Sequence, residues 1–211
     1  MKKLMAALCA LILVCCAFTA LADNKLVKPN TSETLKALIG GKSFDVSLSD
    51  LKVTGQDEDS KFTIAVTVCE RDLFDAALIE NLEVHDIVRL GDGTAFMVMD
   101  VTSDEFGVTV KTGDEDAYIF TRNADGSYTV TTDTDFPCWT EVFTVTVPLE
   151  KDISFLDWSD PENLDEPVKL GFDELLDLLY RDTSFAPYNT RVTFDENGKL
   201  VELLYNYSPW N

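Results

Sequence analysis

The chain contains a single histidine, His85. A multi-histidine metal cluster or a His-Glu-x-x-His zinc site is therefore excluded, and a nucleophile-histidine-acid triad would have to use His85 itself. His85 lies in Glu83-Val84-His85-Asp86-Ile87, at the mouth of a predicted hairpin, and no Gly-x-Ser-x-Gly elbow accompanies it. A phosphate-cradling Gly-x-x-x-x-Gly-Lys loop and a dinucleotide fingerprint are also missing, so no nucleotide cofactor is expected. Basic residues are scarce, 17 Lys and Arg against 38 Asp and Glu, for a formal net charge of −21. Such a field repels nucleic-acid phosphates and anionic lipid headgroups; it suits solubility, cation attraction or a basic partner. After residue 22 no stretch is apolar enough to span a bilayer, so no membrane span is expected in the mature chain.

What is present begins with a leader. Met1-Lys2-Lys3 is positive, Leu4 to Phe18 is uncharged and mostly apolar, and Ala20-Leu21-Ala22 offers small residues at both positions that signal peptidase reads. The expectation is a signal peptide over 1–22, bacterial export, and a secreted or cell-surface mature domain over 23–211 with a sub-boundary near 150. Three of the five cysteines fall in the leader, leaving Cys69 and Cys138. In an oxidising exterior two remaining cysteines are expected to form one disulfide, worth about 4 kcal/mol by loop entropy.

The mature chain reads as short alternating strands. Phe44-x-Val46-x-Leu48 and Phe62-x-Ile64-x-Val66-x-Val68 set one face apolar. Strands are likewise predicted around Val88, from Phe96 to Val101, around Val108, over Tyr118 to Arg122 and Tyr128 to Thr132, and from Val142 to a stop at Pro148. Asp72 is placed as the cap of a short helix carrying Leu73, Phe74, Ala77, Leu78 and Leu82. Thr31-Ser32-Glu33 is placed as the cap of a helix through Leu35 and Leu38 that Gly40-Gly41 stops, a further helix is predicted over Gly171 to Arg181, and a last hairpin around Glu196-Asn197-Gly198. The fold class is mainly β (α+β): an antiparallel small barrel or sandwich with two or three short helices and a C-terminal helix plus hairpin.

Carboxylates are the abundant reactive groups. Asp57-Glu58-Asp59, Asp114-Glu115-Asp116 and the pair Asp133 and Asp135 are the dense clusters, and the last pair is the candidate metal position. Calcium is the cofactor left open, as a weak site assembled from separate loops. The Asp-x-Asn-x-Asp-Gly pattern fails at its outer ligand positions before both Gly126 and Gly198, which read as hairpin turns. Aromatics supply the other candidate: Trp158, Tyr188, Tyr205, Tyr207 and Trp210 gather in or near the C-terminal hairpin, with Trp139 upstream. Tyr205 and Tyr207, two apart, share a strand face and either stack on a sugar or peptide or cover the C-terminal helix.

Cys138-Trp139 is similar to the Cys-Trp pair of papain-like thiol proteases, but Phe136-Pro137 replaces the glycine-rich surroundings, and no catalytic residue is assigned. Thr193-Phe194-Asp195-Glu196-Asn197-Gly198-Lys199-Leu200 with Tyr207-Ser208-Pro209-Trp210 resembles the tails of secreted bacterial proteins without an assigned activity. Leu82 to Val88 resembles the Leu-x-x-Gly-Asp-x-Ile turn that opens SH3-like barrels, with His85 in the glycine position. Neither resemblance implies an activity. The expected function is an exported, non-catalytic binding or cell-envelope accessory protein for an extracellular protein or glycan. The alternatives are a secreted hydrolase using carboxylates or a carboxylate-bound metal, and a weak calcium-binding module.

Overall fold

The computed structural model describes residues 32–55, 60–113, 116–160, 165–181 and 184–208. The leader, Asp57-Glu58-Asp59, Asp114, Glu115 and Trp210 lie outside these residues.

The described chain forms a β-rich α+β sandwich with three short helices, and its sheets do not close into a barrel. A helix, α1 (Ser32–Ile39), leads into two long strands, β1 (Ser43–Thr54) and β2 (Lys61–Arg71). Then come β3 (Leu73–Phe74), α2 (Ala76–Ile79), β4 (Ile87–Arg89), β5 (Ala95–Met97), β6 (Asp100–Ser103), β7 (Gly107–Lys111), β8 (Ala117–Arg122) and β9 (Tyr128–Thr132). The chain returns through β10 (Trp139–Leu149), β11 (Ser154–Trp158), β12 (Val168–Leu170), α3 (Phe172–Tyr180), β13 (Thr190–Phe194) and β14 (Leu200–Asn206).

The large sheet has the order β10-β2-β1-β13-β14-β11-β12, and β3-β9-β8-β7-β6 form a second sheet beside the β4-β5 hairpin. Among the described residues all strand pairings are antiparallel except β11 with β14. That parallel pair is absent from the sequence reading, because two strands 42 or more positions apart leave no local signal of their pairing.

Two separate apolar cores result. The first joins Val46, Val66, Val68, Val145, Phe155, Val192 and Leu203 of the large sheet to Ile39 of α1 and Leu175 of α3. The second is built from Ile79, Val88, Val98, Val108, Val110, Phe120 and Val130. Residues 72–138 thus form a lobe inserted between β2 and β10, which are neighbours in the large sheet. The strands on either side of residue 150, β10 and β11, both belong to the first core.

Three local expectations are corrected. The helix placed after Asp72 is shorter: Leu73 and Phe74 pair with β9, and the helix is α2, capped by Asp75, whose Oδ1 accepts from Ala77 N at 2.7 Å. Asp72 is instead 5% exposed at the joint between lobes. Its Oδ2 accepts from Gly91 N at 2.8 Å, and its Oδ1 accepts from the Thr140 hydroxyl. Glycine is required at 91, since an added Cβ would overlap Thr140 Oγ1 and come within 2.5 Å of Asp72 Oδ1. Pro148 does not end its strand: it sits inside β10, opposite Thr63. β10 is an edge strand, where a residue without an N–H is tolerated on the open side.

The third correction concerns the cysteines, both of which are free. Cys69 pairs with Glu141 on β10, and Trp139 pairs with Arg71, so Cys138 lies three ladder positions from the partner of Cys69. Three positions amount to about 10 Å along a strand, beyond the roughly 7 Å Cα reach of a disulfide. An odd offset also sends the two side chains to opposite faces.

Candidate functional site

The outer face of the large sheet, opposite the first core, carries the most distinctive chemistry. Along β2, Ile64, Val66 and Val68 enter the core, so Thr67, Cys69 and Arg71 lie on the opposite face, where Thr67 and Cys69 are themselves buried and Arg71 is exposed. Arg71 ends the strand and sits over the Trp139 ring, 5.4 Å from its centroid, in a cation–π contact between cross-strand partners. On β1 and β13 the outward pair is Asp45 and Arg191, whose Nε donates to Oδ1 at 2.9 Å. That bond holds the Arg191 guanidinium pKa above its ordinary value. Further across, Leu204 and Asn206 of β14 stand beside Leu156 and Trp158 of β11.

The loop after α3 forms the remaining wall. Asn189 is fully buried and ties the loop to itself: its Oδ1 accepts from Ala186 N at 2.9 Å and from the Thr190 hydroxyl at 2.7 Å, while its Nδ2 donates to Ser184 O at 2.9 Å. Leu48 N donates to Phe185 O at 3.0 Å, fastening the loop to β1. Pro187 and Tyr188 are thereby carried to the joint, where the Tyr188 ring meets Phe136 of the inserted lobe edge-on at 5.2 Å.

These groups enclose a cleft of about 340 Å³ lined by Asp45, Arg71, Trp139, Trp158, Tyr188 and Arg191 among others. A second cavity of about 310 Å³ lies on the other side of Pro137, Trp139, Pro187 and Tyr188, which wall both, and it reaches Tyr118 and Cys138 of the inserted lobe. The indole N–H groups of Trp139 and Trp158 are sealed from solvent and find no acceptor among the described residues. A buried donor left unpaired costs about 1–3 kcal/mol, so two such donors bordering one cleft mark it out from the rest of the surface.

The cysteines are not activated. Burial and the nearby carboxylates of Asp72 and Asp92 push the Cys138 thiol up to about 11, and burial is also the leading cause that raises Cys69. A nucleophilic cysteine needs the opposite displacement.

Of the aromatic candidates, Trp158 and Tyr188 line the cleft. Tyr205 is 7% exposed in the first core, against Phe185 at 5.1 Å. β14 stops at Asn206, so Tyr207 lies past the strand and is exposed. Asp133 and Asp135 stand on an exposed turn, with Asp135 at φ 61°, and among the described residues no group of three or more His, Cys, Asp or Glu side chains could hold a metal ion. Asp125 and Asp195 spend their carboxylates on their own turns, accepting from Ser127 N at 2.9 Å and Lys199 N at 2.8 Å. His85 adopts φ 81° and donates its backbone N–H to Val98 O at 2.8 Å, the left-handed conformation that suits the glycine of the turn it resembles.

Arg71, Asp45 and Arg191 were not singled out from sequence. With so few bases in the chain, an arginine in an alternating strand was the available signal, but only the sheet order brings them together.

No protein-family model matches the chain, and no curated protein or solved structure is significantly similar to it.

Proposed function

We propose that the protein is an exported, non-catalytic binding protein whose site is the cleft between the outer face of the large sheet and the 184–189 loop. The observation that carries this reading is one arginine-bearing cleft walled by Trp139, Trp158 and Tyr188, with the two indole N–H groups lacking an acceptor among the described residues. Ligand sites combine apolar walls with a few placed polar groups in a volume of about 300–1,000 Å³, and this cleft is at the lower end of that range. Its lining supplies donors and aromatic faces, and the neighbouring thiol is held protonated. Export is supported by the charged, apolar and small-residue segments of positions 1–22.

Two tryptophans border the cleft, so intrinsic fluorescence reports its occupation. A panel of neutral and acidic sugars, short peptides and calcium should include a ligand that gives a saturable change and is recovered intact. A ligand recovered hydrolysed would favour the hydrolase alternative. A response to calcium alone would favour the calcium module, and a flat response to the whole panel would remove the binding reading.

A further inference from the structure

We propose that the cleft selects a carboxylated sugar ring, with Arg71 as the carboxylate-binding residue. The inference rests on the binding reading above and specifies its ligand.

The chain carries a net charge of −21, yet the lining of this cleft inverts that sign locally: two guanidinium groups, Arg71 and Arg191, face one carboxylate, Asp45. Arg191 is already committed to Asp45 through the 2.9 Å bond. Among the described residues Arg71 makes no salt bridge; its contact is the face of Trp139. Glu141 of the edge strand β10, opposite Cys69, is not part of the lining. A guanidinium that sits over an aromatic face, 5.4 Å from the ring centroid, spends none of its N–H groups on that contact, which leaves them for bidentate pairing with a carboxylate. Lysine would not reproduce that planar fork.

The remaining lining argues for a ring. Trp139, Trp158 and Tyr188 present aromatic surface, which packs against the C–H face of a pyranose while hydroxyls take hydrogen bonds at the rim. Asn206 supplies an amide there. At about 340 Å³ the cleft suits one ring-sized group better than an extended chain. The two indole N–H donors are sealed from solvent while their residues line the cleft, so a ligand oxygen reaches either one only when the tryptophan ring tilts. That movement would satisfy a donor that is otherwise unpaired, and it would change the fluorescence.

The test is a tryptophan-fluorescence titration of the full chain with methyl glucuronide, methyl glucoside and an N-acetylated dipeptide bearing a free carboxylate. The glucuronide should bind at least about tenfold more tightly than either comparison ligand, a factor within the worth of one charge-assisted pair. Arg71→Gln, at an exposed position, should keep the melting temperature, lose about tenfold for the glucuronide and leave the glucoside unchanged; Arg71→Lys should recover only part of the loss. Trp158→Phe should weaken all sugars while the protein remains folded. Equal binding of glucuronide and glucoside overturns the carboxylate assignment and leaves the cleft as a binding site. Preference for the dipeptide overturns the sugar assignment. No response to any of the three overturns the proposal outright, while the broader panel decides the binding reading separately.

Discussion

The two lobes manage the same shortage of basic residues differently. The inserted lobe, 72–138, holds 15 Asp and Glu against three Lys and Arg, and it contributes Leu73, Leu78, Val84, Ile87, Met97, Met99 and Phe106 to the exposed large hydrophobics. The large-sheet lobe exposes Val53, Val168, Tyr180 and Tyr207. A lobe of this size buries a smaller share of its apolar surface than a larger one, so apolar side chains remain at its edges. The large sheet has a second face to spend, and it gathers arginines and aromatics there. Size therefore explains where apolar surface is left over, and sheet width explains where a cleft can be built.

The sharpest way to break this comparison is to empty each core in turn. Phe155→Ala and Phe120→Ala remove fully buried rings from the first and second cores, and each should cost about 3–5 kcal/mol. If the Asp72 joint couples the lobes, chemical denaturation of both variants shows one transition; a split transition in Phe120→Ala alone means the inserted lobe melts by itself. The joint is probed directly by Gly91→Ala, which forces a Cβ against Thr140 and Asp72. It should cost about 1–3 kcal/mol, as overpacking does, and a fall in unfolding midpoint reads it. A neutral result would mean that the two lobes are not held by this contact.

A smaller effect of opposite sign is expected at His85. A side chain at φ 81° is strained, so His85→Gly should stabilise the inserted lobe by about 1 kcal/mol, seen as a raised midpoint. Cys138 reports on the joint between the lobes. Its thiol is raised to about 11, so its contribution to stability is intact below its ordinary value near 9 and is lost as pH rises from there through about 11. At pH 8 Cys69 and Cys138 should alkylate slowly in native protein, and both should react readily once it is denatured.

The smallest effect is acidic. Hydrogen bonds from Lys199 N and Asn197 N hold Asp195 below the usual carboxylate range, and the Lys199 ammonium does the same for Asp152. Groups depressed in the folded state stabilise above their unfolded pKa, about 4, and lose that contribution as pH falls through the lower folded values. The amide resonances of Asn197 and Lys199 should therefore move only below about pH 4; movement near pH 5 would contradict the assignment.

Much of the strand content was legible because the alternation in Phe62 to Val68 and the turns at Gly126 and Gly198 are local signals. Both glycines adopt positive φ, 89° and 78°, as their hairpins require. Asp72 misled because an aspartate before an apolar run resembles a helix cap, whereas here a burial site 19 residues away, at Gly91, claimed its carboxylate. Pro148 misled because an edge strand forgives what a central one would not. Trp158 and Tyr188 were legible as cleft-lining residues only in the sense that aromatics clustered; that Tyr205 would turn into the core depended on strand phase.

The order of charges and apolar residues along the chain determined by itself the strand-rich class, the tight turns, the C-terminal helix and the scarcity of imidazole and basic groups, since each depends on neighbours within a few positions. The tertiary structure alone decided that residues 72–138 would form a lobe with its own core, that two cysteines would stand out of bonding reach, and that Arg71, Trp139, Arg191 and Trp158 would share a cleft. Those outcomes follow from register between strands far apart in sequence, and register is set by how the whole apolar set packs rather than by any local pattern.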